Sequence, residues 1–312
     1  MNYIFLLLTL FGAELAYFHI ADHFNIIDKP NERSSHTRIT LRGGGIVFYI
    51  GILLYFILEG FQYPWFFIGL SLITLVSFVD DIKPQSNKLR LLIHFAAMVL
   101  LFYQWGLFHL SWYHTIIALV FCAGVLNAYN FMDGINGITA GYSLVVTGIL
   151  CYINLYQVSF VDKKFIYIFI LALIVFGFFN FRTKARCFAG DVGAISAAFI
   201  IVFLLGLLIM KTGDYSYIIL LVVYGVDTIL TIIHRMILKE NIFLAHRKHV
   251  YQIMANELKI PHLLVSLFYA LLQLIIVIVF FVFKSNSYLY MGIVILLLSL
   301  SYVIMKKKYF KL

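Results

Sequence analysis

VGAISAAFIIVFLLGLLIM, residues 192–210, contains no ionisable side chain and lies between Asp191 and Lys211. A helix of this length can cross the hydrocarbon core of a bilayer, which takes roughly 17 to 25 apolar residues. Similar stretches precede and follow it, so we predict an all-α, polytopic membrane protein with about 11 transmembrane helices. The predicted spans are residues 3–21, 45–59, 64–79, 89–105, 112–129, 136–157, 164–180, 192–210, 215–236, 261–283 and 288–305. A count of 10 is the alternative, because the second and third stretches are short.

The composition favours the same class. Hydrophobic residues make up 63% of the 312 residues, charged residues make up 12%, and the mean hydropathy is +0.98. A soluble domain is roughly half apolar. We find no internal repeat, low-complexity tract or soluble domain, so we interpret residues 1–312 as a single integral-membrane domain. The 3 cysteines lack the spacing of a disulfide framework.

The distribution of lysine and arginine predicts the orientation. If the chain changes sides at each span, all of the 23 basic residues except Lys163, Lys164, Lys211 and Lys284 fall on one side. That side is cytoplasmic under the positive-inside rule. The predicted N-terminus is then outside and the C-terminus is cytoplasmic. The net charge of +9 is explained by topology, and no nucleic-acid partner is needed.

The predicted cytoplasmic segments contain most of the unusual polar residues. These segments lie near residues 22–44, 80–90, 127–137, 181–193 and 237–260. Ionisable side chains at a membrane edge are costly and therefore indicate function. In the first segment, Arg42 precedes three glycines, a pattern whose backbone N–H groups suit an anion. A flexible turn is the alternative.

Adjacent carboxylates mark the second segment. Asp80 and Asp81 repel each other unless a cation or nearby basic residues share their charge. Their hard oxygen atoms favour magnesium as that cation. An ordinary helix end is the alternative.

The third segment combines amides, a carboxylate and glycines. Asn130, Asp133 and Asn136 would share one face if the helix were continuous. Gly134 and Gly137 instead favour a break, or a tight start to the next span. The alternative function of the amides is to cap neighbouring helices.

The last two segments add a carboxylate and a basic loop. Asp191 lies near the predicted start of a helix, where a simple N-cap is the alternative to a functional carboxylate. His246, Arg247 and His249 supply hydrogen-bond donors for phosphate. A solvated basic loop is the alternative, and zinc is disfavoured because only two histidines lie close together, with no cysteine.

These segments together predict phosphoryl transfer at the cytoplasmic face, because carboxylates that hold a divalent metal lie among basic residues that hold phosphates. The expected reactants are a cytosolic phosphoanhydride and a lipid. A transporter or flippase is the rival class, although it would need more mid-membrane charge than Glu14, His94 and Asp227 supply. An inactive scaffold is a second rival, disfavoured because all the carboxylate positions are filled.

Five motifs in a fixed order identify a family resemblance. They are Asp28-x-Pro-Asn-x-Arg-Ser-x-His36 with Arg42-Gly-Gly-Gly45, Asp80-Asp81, Asn130-Phe-Met-Asp-Gly-Ile-Asn-Gly137, Phe188-x-Gly-Asp-x-Gly193 and Ala245-His-Arg-x-His-x-Tyr-Gln252. This pattern resembles the polyprenyl-phosphate N-acetylhexosamine-1-phosphate transferases, the polytopic phosphoglycosyltransferases of glycosyltransferase family 4. The form of the last motif is most similar to the branch that initiates O-antigen or surface polysaccharides.

The resemblance implies transfer of a sugar 1-phosphate from a UDP-N-acetyl sugar to undecaprenyl phosphate, with release of UMP. It also implies a bacterial inner membrane, a cytoplasmic active site, a magnesium cofactor with manganese as the alternative ion, and a homodimer. A transferase of the peptidoglycan type is the alternative activity. The sugar stays open, as does the choice between direct attack and a covalent aspartyl intermediate.

The resemblance further implies roles for individual residues. The implied catalytic residues are Asp80, Asp81, Asp191 and His249. The implied magnesium ligands are Asp191 and Asn130. The implied substrate-binding residues are Arg42, Arg90 and Asp133, Asn136 and Phe188 at the uracil, and His246 and Arg247 at the sugar and phosphates. Two departures from the family pattern are Leu41, where proline is commoner, and Asn136, where many bacterial members carry aspartate; an amide can still pair with uracil.

Overall fold

The structure is a computed structural model that describes residues 2–30, 35, 38–241 and 246–310. Part of the first motif and the start of the last one, including His36 and Ala245, lie outside these residues. The helices are α1 (Tyr3–His23), α2 (Ile46–Leu58), α3 (Pro64–Ile82), α4 (Asn87–Trp105), α5 (Trp112–Met132), α6 (Ile138–Tyr156), α7 (Lys163–Asn180), α8 (Gly190–Thr212), α9 (Val222–Ile237), α10 (Val250–Gln252), α11 (His262–Val282) and α12 (Ser287–Phe310). A 3-10 helix, Tyr215–Leu221, leads into α9, and a π-helical turn, Ile253–Glu257, follows α10.

The predicted all-α, polytopic class is confirmed. Within the described residues, 9 helical segments are long and apolar enough to cross a membrane, and the shorter apolar helix α2 adds a tenth candidate. The remaining predicted span coincides with α4, whose first turns contain Lys88, Arg90 and His94. Every predicted span is therefore a helix, while the number of crossings and the orientation of the termini stay predictions.

Helix α8 is the centre of the bundle. Its most apolar stretch is 83% buried, and it packs against α2, α3, α4, α5 and α6. A helix that is apolar on every side can be enclosed by other helices as well as by lipid, and the sequence of residues 192–210 fits this enclosed position. The hydroxyl groups of Thr74 in α3 and Ser196 in α8 form a buried hydrogen bond of 2.9 Å.

Two glycines allow α2 and α8 to approach closely at their N-terminal ends. A β carbon added to Gly45 would lie 2.2 Å from the α carbon of Gly193, and one added to Gly193 would lie 2.6 Å from the α carbon of Gly45. Such distances do not occur in folded proteins, because the atoms would overlap. This contact therefore requires glycine on both helices, and it brings the two segments that precede them together.

The break between α5 and α6 is confirmed. Helix α5 ends at Met132, and α6 begins at Ile138 after Gly137, whose φ of +87° is one that glycine adopts without strain. Asn130 consequently lies in α5, whereas Asp133 and Asn136 lie in the turn. The three side chains do not share one helical face.

A short antiparallel hairpin follows α1. Strand β1 (Ile27–Asp28) pairs with β2 (Thr40–Leu41), with Ile27 opposite Leu41 and Asp28 opposite Thr40. Leu41 also forms a parallel bridge with Cys187. The hairpin thereby joins the segment before α2 to the segment before α8.

Candidate active site

Backbone hydrogen bonds fix the segment that contains Arg42. The N–H of Phe188 donates to the carbonyl of Leu41 at 2.8 Å, and the N–H of Gly44 donates to the carbonyl of Phe188 at 2.9 Å. The Tyr17 hydroxyl donates to the Arg42 carbonyl at 2.5 Å. The glycines following Arg42 thus bring its segment against the start of α8, as the close approach of α2 and α8 requires.

Arg42 bridges two carboxylates from different helices. Its Nε lies 2.7 Å from Oδ1 of Asp81, and its Nη2 lies 3.0 Å from Oδ1 of Asp191. Burial alone would lower the pKa of the Arg42 guanidinium, but the two carboxylates outweigh burial and raise it. Arg42 therefore stays charged at this site.

Asp81 caps the N-terminus of α8 from the neighbouring helix α3. Its Oδ1 accepts the N–H of Asp191 at 2.9 Å, and its Oδ2 accepts the N–H of Val192 at 3.0 Å. The first turn of a helix has N–H groups without partners, and a carboxylate there also interacts favourably with the helix dipole. The Asp81 side chain is 0% exposed, so these contacts occupy it fully.

The alternative interpretation of Asp191 as a simple N-cap is wrong. The N-cap residue of α8 is Ala189, and Asp191 lies within the first turn. Its carboxylate contacts Arg42 and also Arg90, whose Nη2 lies 3.3 Å from Oδ2. Asp191 therefore forms ion pairs with two arginines and does not cap its own helix.

Arg90 connects Asp80 to Asp191. Its Nη1 lies 3.0 Å from Oδ2 of Asp80, whose Oδ1 accepts the N–H of Gln85 at 2.6 Å. The structure thus brings five predicted residues into one chain of ion pairs, which we name the carboxylate cluster: Asp80, Arg90, Asp191, Arg42 and Asp81.

The carboxylate cluster can be compared with the ligand set that magnesium uses. Among the described residues, no group of three or more His, Cys, Asp or Glu side chains is arranged to hold a metal. Magnesium commonly uses one or two carboxylates together with water and substrate phosphates, so an incomplete site fits this ion. Asp191 is the most exposed carboxylate of the cluster, at 16% against 10% for Asp80. Asn130, the other predicted ligand, is partly exposed near the end of α5.

Asn136 and Phe188 line a cleft beside the carboxylate cluster. One cavity lined by both residues has a volume of about 910 Å³, and a smaller one of about 50 Å³ is lined by both residues together with Asp133 and His262. Asn136 is held by the loop before α8, because its Nδ2 donates to the carbonyls of Arg182 at 2.8 Å and Thr183 at 3.3 Å. The larger cavity is wide enough for a small ligand.

Asp133 lies in the turn between α5 and α6. Burial raises the pKa of Asp133 to about 7, although the Thr139 hydroxyl, which donates to its Oδ1 at 2.6 Å, opposes the shift. The charges of Asp191 and Arg42 also influence this carboxyl. Asp133 therefore lies within electrostatic range of the carboxylate cluster and changes charge near neutral pH.

The basic loop, residues 246–249, rests on the C-terminal end of α5. Phe131 contacts both histidines, with ring centroids 6.1 Å from His246 and 6.0 Å from His249. The Tyr251 hydroxyl donates to the Phe131 carbonyl at 2.9 Å. Burial lowers the pKa of His246 to about 3, with nearby cationic groups contributing, so this imidazole is neutral at physiological pH.

Arg247 and His249 of the basic loop differ in exposure. Arg247 is exposed, whereas His249 is buried. Nδ1 of His249 lies 3.4 Å from Oδ1 of Asp227, a carboxylate inside α9. The described contacts place the loop next to Asn130 through Phe131, and none of them joins His249 directly to the carboxylate cluster.

Several residues that contact the predicted site were not assigned to it from the sequence. Asp227 was considered only as a mid-membrane charge, although a carboxylate within an apolar span is itself a signal of function. Asn180 accepts the N–H of Gly137 at 2.8 Å and donates to the Cys187 carbonyl at 2.9 Å. His262, the first residue of α11, lines both cavities and had no sequence signal beyond its position after Pro261.

Glu14, another predicted mid-membrane charge, also lies next to the site. It is fully buried, and its Oε1 lies 3.6 Å from Sγ of Cys187. A β carbon on Gly44 would lie 2.9 Å from the same oxygen. Glu14 therefore lies beneath the loops that hold Arg42 and Phe188.

Comparisons with known proteins confirm the family resemblance. Residues 63–210, from α3 to α8, match the model described as Glycosyl transferase family 4. A probable undecaprenyl-phosphate N-acetylglucosaminyl 1-phosphate transferase of Bacillus subtilis is 25% identical over 253 residues, covering 74% of this chain and 70% of that protein. An undecaprenyl-phosphate alpha-N-acetylglucosaminyl 1-phosphate transferase of Thermotoga maritima is 22% identical over 250 residues, covering 74% of each chain.

A relative with a different printed activity is also similar. The phospho-N-acetylmuramoyl-pentapeptide-transferase of Lactobacillus acidophilus is 31% identical over 160 residues, which cover 51% of this chain and 47% of that protein. The match thus spans about half the length of that relative.

Proposed function

We propose that this chain, whose residues 63–210 match the Glycosyl transferase family 4 model, transfers an N-acetylhexosamine 1-phosphate from a UDP-N-acetyl sugar to undecaprenyl phosphate, releasing UMP. The observation that carries the proposal is the carboxylate cluster. Arg42 and Arg90 each contact two carboxylates, and the cluster lies beside a cleft that contains Asn136 and Phe188.

The proposed reaction exchanges one phosphoanhydride for another. An oxygen of the lipid phosphate forms a bond to the sugar-linked phosphorus, and the bond from that phosphorus to the oxygen of UMP breaks. Both reactants are anionic, so their approach requires positive charge. Arg42 and Arg90 supply it. Asp80, whose side chain is less enclosed than that of Asp81, orients the lipid phosphate in this proposal.

Magnesium, when bound, would neutralise the diphosphate of the donor and stabilise UMP as it leaves. Asp191 and Asn130 would hold it. Asn136 and Phe188 contact the uracil in this proposal, Asp133 contacts or supports the nucleotide, and the basic loop contacts the sugar and its phosphate. The site lies on the cytoplasmic side of a bacterial inner membrane, and the product initiates a surface polysaccharide such as O-antigen.

UMP release from a panel of donors tests the proposal. The purified protein is incubated with undecaprenyl phosphate, magnesium and UDP-GlcNAc, UDP-GalNAc, a 6-deoxy N-acetyl sugar donor or UDP-N-acetylmuramoyl-pentapeptide. Release of UMP with one of the first three donors is expected. Release only with the pentapeptide donor assigns the chain to the peptidoglycan activity, in line with its similarity to the Lactobacillus protein.

Two variants make the assay specific. Asp191→Asn should sharply lower UMP release at a magnesium concentration that saturates the wild type, and Asp80→Asn should reduce UMP release by at least about 100-fold, as expected for loss of a positioned acid–base group. Full activity of Asp80→Asn would contradict its role at the lipid phosphate. Binding of the donor without turnover, in wild-type protein with every donor, would favour a transporter instead. Mass measurement in detergent tests the homodimer, which is part of the proposal.

A further inference from the structure

The buried carboxylate of Asp227 contacts His249 of the basic loop and the next residue, Val250. Asp227 is 5% exposed and lies within α9. Its Oδ1 accepts the N–H of Val250 at 3.0 Å and the Thr231 hydroxyl at 3.3 Å, and its Oδ2 accepts the Tyr269 hydroxyl at 2.7 Å. Nδ1 of His249 lies 3.4 Å from Oδ1. Groups from α9, α11 and the loop therefore converge on one carboxylate.

Helix α12 also contacts the basic loop. Lys306 is fully buried, and its Nζ donates to the carbonyl of Lys248, the residue before His249. The Tyr302 hydroxyl, one turn earlier in α12, lies 3.1 Å from the hydroxyl of Thr231, which in turn bonds Asp227. A single helix thus contacts both the backbone of the loop and the network around Asp227.

Burial of these groups needs an explanation beyond packing. Removing a carboxylate and an ammonium group from water is costly, and apolar residues in their place would usually give equal or better stability. This network contacts the basic loop at two residues, Lys248 and His249. The sequence consequently retains two buried charges whose shared effect is to fix the position of His249.

We propose that Asp227 and Lys306 are positioning residues that hold His249 for the transfer reaction, Asp227 through the imidazole and Lys306 through the backbone. This inference rests on the proposed function. Both ring nitrogens of His249 are buried, and neither has a hydrogen-bond partner among the described residues. Nδ1 lies 3.4 Å from Oδ1 of Asp227, and a carboxylate can only accept a hydrogen bond, so Asp227 favours the imidazole form with its proton on Nδ1. This arrangement leaves Nε2 for the substrate.

Steady-state kinetics with matched controls test the proposal. Asp227→Asn and Lys306→Met should each lower kcat by roughly 10-fold or more, as orienting partners of functional histidines do, with little change in the KM for the donor. Lys306→Arg should recover part of the loss, since it keeps a buried donor. Asp214→Asn and Lys307→Met are the controls, because Asp214 pairs with Lys284 outside this network and Lys307 is exposed in the same helix. Both controls should retain wild-type kcat.

A double-mutant cycle separates positioning from general support. If Asp227 acts through His249, the variant Asp227→Asn with His249→Ala should be no slower than His249→Ala alone. Multiplicative losses would overturn the proposal, and so would wild-type kcat in Asp227→Asn.

The protonation of His249 can also be measured without enzymatic turnover, so the inference can be tested even if the proposed function is wrong. In protein with ¹⁵N-labelled histidine, the signals absent from His249→Ala identify this residue. They should report a proton on Nδ1 in the wild type and a changed ratio of ring forms in Asp227→Asn, but not in Asp214→Asn. A wild-type His249 with its proton on Nε2 overturns the inference. Absence of UMP release with every donor, alongside the expected signals, overturns only the proposed function.

Discussion

The two adjacent aspartates should respond differently to the same substitution. Asp81→Asn removes one of the two acceptor oxygens that cap α8 and places an amide N–H₂ against a backbone N–H or against Arg42. Asp80→Asn keeps one oxygen for the N–H of Gln85 and loses mainly the ion pair with Arg90. Asp81→Asn is therefore expected to affect both folding and activity, whereas Asp80→Asn should affect activity alone.

The expected difference follows from the contacts. A hydrogen bond to a charged group is worth about 1.5 to 3 kcal/mol, and an unsatisfied buried donor costs a similar amount. Asp81→Asn loses one such bond and weakens the pair with Arg42, which is one-third exposed, so we expect a loss of about 2 to 4 kcal/mol. The pair of Asp80 with Arg90 is closer to solvent and should contribute below about 1 kcal/mol.

Thermal unfolding in detergent, together with UMP release, checks this prediction. Asp81→Asn should lower the unfolding temperature by roughly 4 to 10 °C relative to Asp80→Asn. Both variants should lose activity, measured below the unfolding temperature of the weaker one. Equal unfolding temperatures would refute the idea that Asp81 caps α8, and a less stable Asp80→Asn would refute the assignment of the two residues.

Three further predictions concern the metal, a helix contact and pH. Removal of divalent ions should abolish UMP release, and Asp191→Asn should raise the magnesium concentration for half-maximal activity at least about 10-fold, more than Asn130→Ala does. Gly45→Ala should prevent stable folding, judged by detergent elution, because the facing glycine of α8 leaves no room, whereas Gly148→Ala should elute as wild type since no atom lies within 4 Å. The pKa of Asp133 is raised to about 7, so its contribution to stability is present below about pH 4 and is lost as the pH rises through 7. Between pH 5 and 8 the unfolding temperature should therefore fall less in Asp133→Asn than in the wild type.

The helices and the glycine break could be predicted from the sequence because their signals are local. Each apolar stretch has the length of a span. Gly137 marks the end of the turn before α6, and this signal depends on the local sequence alone. The ends of the helices differ from the predicted spans by only a few residues. Asn130, Asp133 and Asn136 would share one face only in a continuous helix, and the break that the glycines predict falls between the first and the second of them.

The partners of the site residues could not be predicted, because they lie far away in the chain. Nothing in the sequence around Asp81 indicates that its oxygens cap a helix that begins more than a hundred residues later. The pair of glycines that brings the two segments together is visible in the sequence, but only the structure shows that Gly45 faces Gly193. Sequence motifs therefore identified the five residues that meet in the carboxylate cluster, while only the structure shows that Asp81 is more enclosed than Asp80.

The surroundings of Asp227 could not be predicted for the same reason. From the sequence it was a single charge in an apolar span, which is as expected for a transporter as for an enzyme. In the structure, its oxygens are occupied by donors from two helices and by the loop that contains His249. A charge that moves ions needs access to water along a path, whereas a carboxylate saturated with fixed donors has neither access nor freedom to move. The buried charge of α9 is therefore an argument for a rigid site at the membrane face and against the transporter class.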